Sequence, residues 1–419
     1  GKVHSQSKFT RGHNEKENSY LPMMLVTSRA IAVTSVGNKF IATSTITGRR
    51  YLMELHVKQV LDFCKTSRNW EEIVDLLKPY MVETKIDLLI ENLIKKNILV
   101  MDIIDSFIET RPPHPSLWGC GSSLTASTRI AVVGAPFGNG NSEDIRCKDF
   151  PQYFRNCVWE LLSYKSLSSQ LEYLNKDFVG RYFDINNFKT QINSAAITDI
   201  GDAIYYCGEK SSIFYERLHK IMLGLFHEKV IPICIGGDHS VSYAIINALN
   251  DMGEPFIVLQ FDAHADMNDG IVMQIHEEAL DKILNHSNVI RRVLEFNNVM
   301  QVFQIGVREP FCHNSDKIKK VSIDEIKQGL YQEKICLTNM PVYITFDIDF
   351  FDPALSPGTA HILPNGGDYE STFAFLADVL DGSRILGIDV VEANPAIDIR
   401  NKTIILVNNL LMQLISLIK

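Results

Sequence analysis

Closely spaced cysteine pairs are missing from this chain. Its eight cysteines are scattered singly and none lies in a CxxC pair, which argues against a thiolate zinc site or a disulfide framework. Long apolar runs are missing too: no stretch reaches the roughly 18 residues of a membrane helix, and the polar start GKVHSQSKFTRGHNEKENS has no apolar core typical of a signal peptide. We therefore expect a cytoplasmic globular protein that does not bind membranes.

An excess of basic residues is also absent. The chain carries 41 Lys and Arg against 50 Asp and Glu, a formal net charge of -9. Nucleic-acid binding requires clustered positive charge near phosphates, so this balance argues against a general nucleic-acid binder. At 419 residues, of which 46% are hydrophobic, the chain is long enough for two globular domains.

The chain changes character over residues 111–128, where prolines, glycines, Ser and Thr interrupt the apolar periodicity. We predict a linker there, preceded by a disordered polar N-terminus over 1–19 and a small domain over 20–110. In the small domain, β-branched segments separated by GNK and TGRR predict short antiparallel strands, and three helical segments follow. This order predicts a winged-helix-like α+β unit.

Over residues 129–419 the pattern switches to strands that alternate with helices. Short apolar runs such as KVIPICIGG, PFIVLQF and PVYITF end in glycine or acidic residues. Such runs predict an α/β fold with a parallel sheet covered on both faces. In sheets of this kind, ligands bind outside the carboxyl ends of the strands.

Acidic residues and histidines cluster at those predicted strand ends. Residues at alternate positions of a continuing strand would project to one side, so the clusters in DAHAD and DIDFFD would each present their side chains together, while the pair in GGDHS follows a double glycine. The residues concerned are Asp238 and His239 in GGDHS, Asp262, His264 and Asp266 in DAHAD, and Asp347 and Asp349 in DIDFFD.

A divalent metal centre is the interpretation that these clusters favour. A single DxD is more often a solvated loop or helix cap, and GGDHS alone could be a tight turn. Carboxylates held close together repel one another unless a cation lies among them. Oxygen ligands with two imidazoles and no cysteine suit manganese-like ions, and four aspartates balance two divalent cations. Two such ions lower the pKa of a water between them, which predicts a hydrolytic centre.

The motifs GGDHS, DAHAD, DIDFFDP followed by PGT, and VEANP resemble, in this order, the signature series of the ureohydrolase superfamily of arginases, agmatinases and formimidoylglutamases. The resemblance covers about residues 129–419. It implies a three-layer α/β/α fold, two Mn²⁺ ions per chain, hydrolysis of guanidino-type carbons and a homo-oligomer. The metal ligands that it implies are His239, Asp262, His264, Asp266, Asp347 and Asp349.

The resemblance also implies roles around the metals. Asp262 and Asp349 would bridge the ions, Asp266 would be catalytic as well as a ligand, and Glu392 in VVEANP matches the glutamate that anchors the guanidinium. We predict that Asn268 contacts the substrate with Glu392. His286 matches the mobile histidine that relays a proton to the leaving amine.

Two further histidines, His276 and His361, remain alternatives for this proton relay. The surrounding sequence departs from the family pattern. DIRCKDFPQYFRN stands where a glycine-alanine-arginine stretch is usual, PGTAHILPNGG replaces PGTGTPEPGG, Ser287 replaces a glycine, and DGIVMQIHEEALDKILN precedes His286. These segments would form the mouth of the site, which does not look like that of an arginase for the free amino acid.

The small domain indicates how a larger substrate could be held. Residues 20–105 carry 11 Lys and Arg against 10 Asp and Glu, which disfavours DNA binding. A sheet edge beside a helix can instead accept a strand from an extended peptide. The order of strands then helices resembles the precursor recognition element of enzymes that modify ribosomally made peptides, although a role limited to oligomer contacts is an alternative.

Together the two parts predict a peptide arginase that binds the leader of a precursor peptide and converts arginine residues to ornithine and urea. One alternative is an enzyme that acts on a free guanidino or formimino compound such as arginine or agmatine. Another is a non-catalytic arginase-like sensor, which loss of the metal ligands would have favoured.

Overall fold

The chain forms two compact units, Gly1–Glu109 and Thr110–Lys419. The polar N-terminus that the sequence predicts to be disordered lies outside the described residues. The computed structural model describes residues 24–28, 31–37, 39–44, 49–96, 98–101, 110–268, 284–311 and 314–419.

The first unit combines two small antiparallel sheets with three helices. One sheet has the strand order β5-β1-β6 and the other β2-β3-β4. Apolar side chains of the strands and helices form a separate core. Its strands are β1 (Met24–Thr27), β2 (Ile31–Val36), β3 (Lys39–Ser44), β4 (Arg50–Met53), β5 (Arg68–Asn69) and β6 (Leu99–Met101), and its helices are α1 (Leu55–Phe63), α2 (Trp70–Leu77) and α3 (Glu83–Lys95).

The second unit is built on a nine-stranded sheet of order β13-β12-β11-β14-β15-β10-β8-β9-β7. Its strand pairs are parallel except at one edge, where β7 pairs antiparallel with β9. The predicted parallel α/β sheet is confirmed. The strands are β7 (Thr110–Arg111), β8 (Ile130–Ala135), β9 (Ile197–Ala203), β10 (Ile231–Gly236), β11 (Phe256–Phe261), β12 (Val299–Ile305), β13 (Ile318–Val321), β14 (Pro341–Asp347) and β15 (Arg384–Val391).

The helices of this unit fall into two groups by their mutual contacts. Helices α6 and α8 both pack on α7, whereas α11 packs with α4, α5 and α10, and α10 also contacts α9. Among the described helices, none has both the length and the apolar character needed to cross a bilayer. The helices are α4 (Phe150–Leu161), α5 (Ile185–Asn193), α6 (Ser211–His227), α7 (Val241–Asp251), α8 (Val289–Val293), α9 (Ile323–Gln328), α10 (Tyr369–Val379) and α11 (Lys402–Leu417).

Residues 111–128, for which the sequence predicts a linker, instead form part of the second unit. The segment starts in the edge strand β7, and Leu117 and Trp118 are buried in the core. The indole Nε1 of Trp118 donates a hydrogen bond to Asn408 Oδ1 at 3.0 Å. Prolines and glycines break regular secondary structure without preventing burial, so this composition indicates an irregular path and not a free connection.

Four neighbouring strands of the sheet position the candidate site. Strands β11, β14, β15 and β10 are adjacent in this order and parallel. Their carboxyl ends therefore meet at one edge of the sheet, where ligands bind in open α/β folds.

Candidate metal centre

The predicted acidic residues follow the ends of these four strands directly. Asp262 comes one residue after β11, Asp347 is the last residue of β14, Glu392 comes one residue after β15, and Asp238 lies two residues beyond β10. All four side chains are buried. Buried carboxylates at one sheet edge require hydrogen-bond donors or cations as partners.

Asp266 and Asp349, two further predicted ligands, are positioned at the cluster by the conformation of loops and not by the pleat of a continuing strand. Strand β11 ends at Phe261, and Asp266 adopts a left-handed backbone conformation with φ of 52°. Asp349 lies in a short 3-10 helix, Ile348–Phe350. The prediction that the alternation of a continuing strand brings these ligands together is therefore wrong. The extended backbone ends where the strand has no further neighbours to pair with. A non-glycine residue in the left-handed region is uncommon and typical of functional sites.

The predicted ligands nevertheless converge. Asp262 belongs to both groups of potential ligand atoms, so it has the position expected of a bridging carboxylate. Asp349, also predicted to bridge, belongs to one group only, whereas Asp347 Oδ2 lies 3.5 Å from His239 Nδ1. The groups, each with ligand atoms within 4.8 Å of one another, are His239, Asp262 and Asp266, and Asp262, His264 and Asp349.

Hydrogen bonds behind His239 fix which ring nitrogen faces the cluster. Thr345 Oγ1 donates its proton to Asp389 Oδ1 at 2.7 Å, so this hydroxyl accepts from His239 Nε2 at 2.9 Å. The proton of the neutral imidazole is thus on Nε2, and Nδ1 presents a lone pair. Such a chain behind a histidine is the usual support of a metal ligand.

The Nδ1 atom of His239 provides the test of whether a cation fits. It lies 2.7 Å from Asp266 Oδ2, yet neither buried atom has a hydrogen-bond partner among the described residues. Asp262 Oδ2 is 3.3 Å from the same nitrogen. Buried polar atoms without partners are costly, and a cation held here would satisfy both of them and could also contact Asp262.

Backbone donors orient the second group. The carboxylate of Asp349 accepts from Ala263 N at 2.9 Å and lies 2.9 Å from His264 Nδ1. Asp262 accepts from His264 N at 2.7 Å and from Gln260 Nε2 at 2.9 Å. Each carboxylate is therefore held in place and still has free lone pairs for a metal.

The electrostatics of the cluster also require positive charge. Burial, followed by the charge of Asp262, raises the pKa of Asp266 to about 7. Burial and then Asp349 raise the pKa of Asp347 well above its usual value. Burial would lower the pKa of His264, but hydrogen bonds to Asp262 and Asp349 raise it to about 12. Four aspartates and two imidazoles without sulfur can hold two manganese-type cations at this edge.

Glu392 lies beside this cluster with a strained backbone, at φ of 66°. Its Oε1 accepts from His239 N at 2.8 Å, and its Oε2 accepts from Asn141 Nδ2 at 3.0 Å. His286 Nδ1 is 3.4 Å from Oε1. Burial opposes ionisation of Glu392, but the His286 contact and the His239 N–H lower its pKa, which keeps the carboxylate charged.

The predicted relay histidines have different outcomes. His286 lies in the site, where its backbone N donates to Gly140 O at 3.1 Å. The His361 ring is 5.2 Å from that of His286, centroid to centroid. Asn268 is exposed, and its backbone N donates to Ser287 O at 3.1 Å, so it lies next to the relay segment. His276 lies outside the described residues.

Sequence reasoning missed the residues that support the ligands. They are buried polar side chains within apolar strands or in the turn after β8, and a lone polar residue inside an apolar strand was the available signal. Gln304 Nε2, for example, donates to Gln260 Oε1 at 2.9 Å, and Gln260 in turn holds Asp262. The residues are Asn141, Gln260, Gln304, Thr345 and Asp389.

Comparison with known proteins gives the family. A model described as the Arginase family matches residues 128–416. Arginase 1, mitochondrial, from Arabidopsis thaliana is 27% identical over 216 residues, 48% of this chain and 60% of the relative. Agmatinase from Halalkalibacterium halodurans is 29% identical over 217 residues, 51% and 72% of the two chains. The chain thus spans about 60% of the length of the plant arginase that it matches.

Solved structures agree with the fold. Proclavaminate amidino hydrolase from Streptomyces clavuligerus superposes with a TM-score of 0.56 at 22% identity, covering 73% of this chain and 96% of that chain. A hypothetical agmatinase from Burkholderia thailandensis gives 0.57 at 21% identity, covering 72% and 90%. With the family match over most of its length, this chain belongs to the arginase family.

Proposed function

We propose that this protein hydrolyses the guanidino group of arginine residues in a precursor peptide to give ornithine and urea, with two Mn²⁺ ions. The observation that carries the hydrolytic part is the orphaned pair His239 Nδ1 and Asp266 Oδ2 beside a buried, ionised Glu392. Divalent ions held there would supply the Lewis acidity that makes water a nucleophile near neutral pH.

Glu392 is the residue that binds the substrate's charge. A carboxylate pairs with a planar guanidinium through two parallel hydrogen bonds, and burial strengthens that pairing. Donors from His239 N and Asn141 Nδ2 fix the carboxylate in one orientation before substrate arrives. The guanidino carbon is thereby placed beside the metal ligands, which converts attack by water into an oriented reaction.

His286 is the candidate for the proton that the leaving amine requires. Burial lowers its pKa, but the contact with Glu392 raises it to a net value of about 8. The ring is therefore largely protonated at neutral pH and can donate a proton.

Peptide capture by the first unit is supported by strand β2. It forms one edge of the β2-β3-β4 sheet among the described residues, and five of its six side chains are exposed. Val33 and Val36 are 38% and 58% exposed. An exposed edge with apolar side chains can pair with an added strand, and tethering the leader raises the local concentration of arginine residues at the site.

A second candidate is hydrolysis of a free guanidino compound. The relatives carry the names arginase, agmatinase and guanidino acid hydrolase, which favours this class as well. Two features favour a peptide substrate: the exposed β2 edge, and the altered sequence of the segments expected at the mouth of the site. The altered segments fit a peptide because an arginine inside a peptide has no free α-amino or α-carboxylate group to be held.

The test compares four substrates with the manganese-loaded protein: an arginine-containing precursor peptide, the same peptide without its leader, free arginine and agmatine. We expect urea release to be fastest with the leader-bearing peptide, with ornithine found in that peptide by mass spectrometry. Faster turnover of arginine or agmatine would favour the second candidate. Absence of urea from all four would contradict hydrolysis of guanidino groups.

A further inference from the structure

His361 occupies a position at the metal centre that the family pattern does not explain. It lies in PGTAHILPNGG, the segment that departs from PGTGTPEPGG. Its ring is 5.2 Å from that of His286 and 6.3 Å from that of His264, centroid to centroid. The histidine thus lies near both a predicted metal ligand and the predicted relay residue.

The two nitrogens of His361 have different surroundings. Nδ1 lies 3.6 Å from Glu143 Oε2, and Glu143 is 70% exposed, so this nitrogen faces the rim. Nε2 is buried and has no hydrogen-bond partner among the described residues. In an imidazole the two nitrogens point away from each other, so Nε2 faces inward. The negative charge of Glu143 near Nδ1 favours the tautomer with the proton on Nδ1, and in that tautomer Nε2 is an acceptor.

His361 also completes a closed ring of contacting residues, called the circuit below. Glu392 Oε2 accepts from Asn141 Nδ2, and Asn141 Oδ1 accepts from Glu143 N at 3.0 Å. Glu143 faces His361, the His361 ring lies beside His286, and His286 Nδ1 returns to Glu392 Oε1. The circuit therefore contains both the anchoring carboxylate of Glu392 and the unpartnered Nε2 of His361.

A guanidinium group explains the need for such an acceptor. It carries five N–H donors and no acceptor, and one carboxylate satisfies two of them. Donors that remain unpaired in a buried site weaken binding, so a further acceptor opposite the carboxylate improves it. The backbone and side-chain donors already on Glu392 leave it unable to serve all five.

We propose that His361 is a substrate-contacting residue whose Nε2 accepts a hydrogen bond from the guanidino group, while the nearby charge of Glu143 favours the proton on Nδ1. This inference rests on the proposed hydrolysis of guanidino groups. It assigns to the altered PGTAHILPNGG segment a direct contact with the reacting group.

The test measures agmatine turnover and inhibition by guanidinium ion in the manganese-loaded full chain. His361→Phe keeps a ring but has no acceptor, and we expect kcat/KM to fall about ten- to a hundredfold, mainly through KM, with metal content unchanged. The inhibition constant for guanidinium should rise in parallel. His361→Gln keeps an acceptor oxygen and should lose less, and Glu143→Ala should lie between wild type and His361→Phe.

A matched control is His219→Phe, since His219 also faces a carboxylate, Asp251 at 2.8 Å, but lies in α6 away from the circuit. It should behave as wild type. Values for both His361 variants within twofold of wild type would overturn the contact, as would a loss confined to kcat, which would assign a proton relay instead. A wild-type protein that releases no urea from agmatine or from the leader-bearing peptide would contradict the proposed function itself; if only the peptide is hydrolysed, the same variants are compared on the peptide.

Discussion

The two units of this protein bury different kinds of side chain. Among the described residues of Gly1–Glu109, Ser28 is the only polar side chain that is buried. In Thr110–Lys419, buried carboxylates, amides and imidazoles gather at the ends of four adjacent strands. Burying polar groups is costly unless they are paired, so a unit that buries many at one edge is organised around chemistry.

The first unit has the opposite arrangement, with an apolar core and an exposed sheet edge. This arrangement is typical of a binding module. In such a module the backbone groups at a sheet edge contact the partner, and no buried charge is needed. Under the proposed function, bond cleavage would reside in the second unit and substrate capture in the first. Variants in the two units should therefore change separate properties.

The largest effect is expected for Asp262→Ala. Asp262 is shared by both ligand groups, so its loss should remove metal from both and reduce urea release by about a thousandfold or more. Metal content is measured by elemental analysis of the purified protein. The control is Asp75→Ala in the first unit, whose exposed carboxylate pairs with Lys78. Full metal content in the Asp262 variant would refute the shared-ligand role.

A smaller effect on the same centre is expected for Thr345→Val. This change removes the hydroxyl between His239 and Asp389 but keeps the side-chain shape. Without that support the imidazole is free to rotate or change tautomer, so manganese affinity should fall about ten- to a hundredfold. Titration with manganese measures it, and an unchanged dissociation constant would contradict the role of Thr345.

The β2 edge gives the corresponding test in the first unit. The double variant Val33→Glu, Val36→Glu places charges on exposed positions and should leave the core intact. Because charged edges disfavour strand addition, kcat/KM for the leader-bearing peptide should fall about tenfold, with agmatine turnover unchanged.

The control for this variant is Val82→Glu, which places a charge on another exposed valine of the first unit, immediately before α3. Equal turnover of the peptide by both proteins would exclude β2 as the docking edge. A parallel loss of agmatine turnover would show that the first unit also affects catalysis.

The smallest effect concerns surface carboxylates at low pH. Hydrogen bonds from Arg146 lower the pKa of Asp144 to about 2, against 3.8 for the ordinary group, and Lys58 and Lys65 lower that of Asp62. A lowered pKa contributes stability that is present above the unfolded value and lost as the pH falls through the folded value.

Asp144→Asn and Asp62→Asn should therefore each lose less than about 1 kcal/mol at pH 6 and little at pH 2, because both pairs are partly exposed. Urea unfolding at the two pH values measures the difference. A larger loss at pH 2 than at pH 6 would contradict the sign.

The parallel sheet, and the position of the predicted ligands at one edge of it, could be predicted from the sequence because apolar runs that end in Asp and His are local signals. Sequence reasoning failed on how the ligands converge: the left-handed conformation of Asp266 and the 3-10 turn at Asp349 depend on contacts distant in sequence. It also took 111–128 for a linker, since composition does not reveal that Leu117 and Trp118 are buried.

The residues that hold the functional side chains in place were harder to predict than the metal ligands themselves. Asn141 and Glu392 are 251 positions apart, and no local pattern pairs them. The free Nε2 of His361 likewise emerges only once the segments after β8, β11 and β14 are assembled. Residues that act through others leave weak signals in a single sequence.

The most direct test of the account is anomalous X-ray diffraction from crystals of the full chain grown with manganese. Two peaks that share Asp262 are expected, one beside His239 Nδ1 and Asp266, the other beside His264 and Asp349. A single peak, or peaks away from these side chains, would contradict the binuclear centre on which the proposed hydrolysis depends.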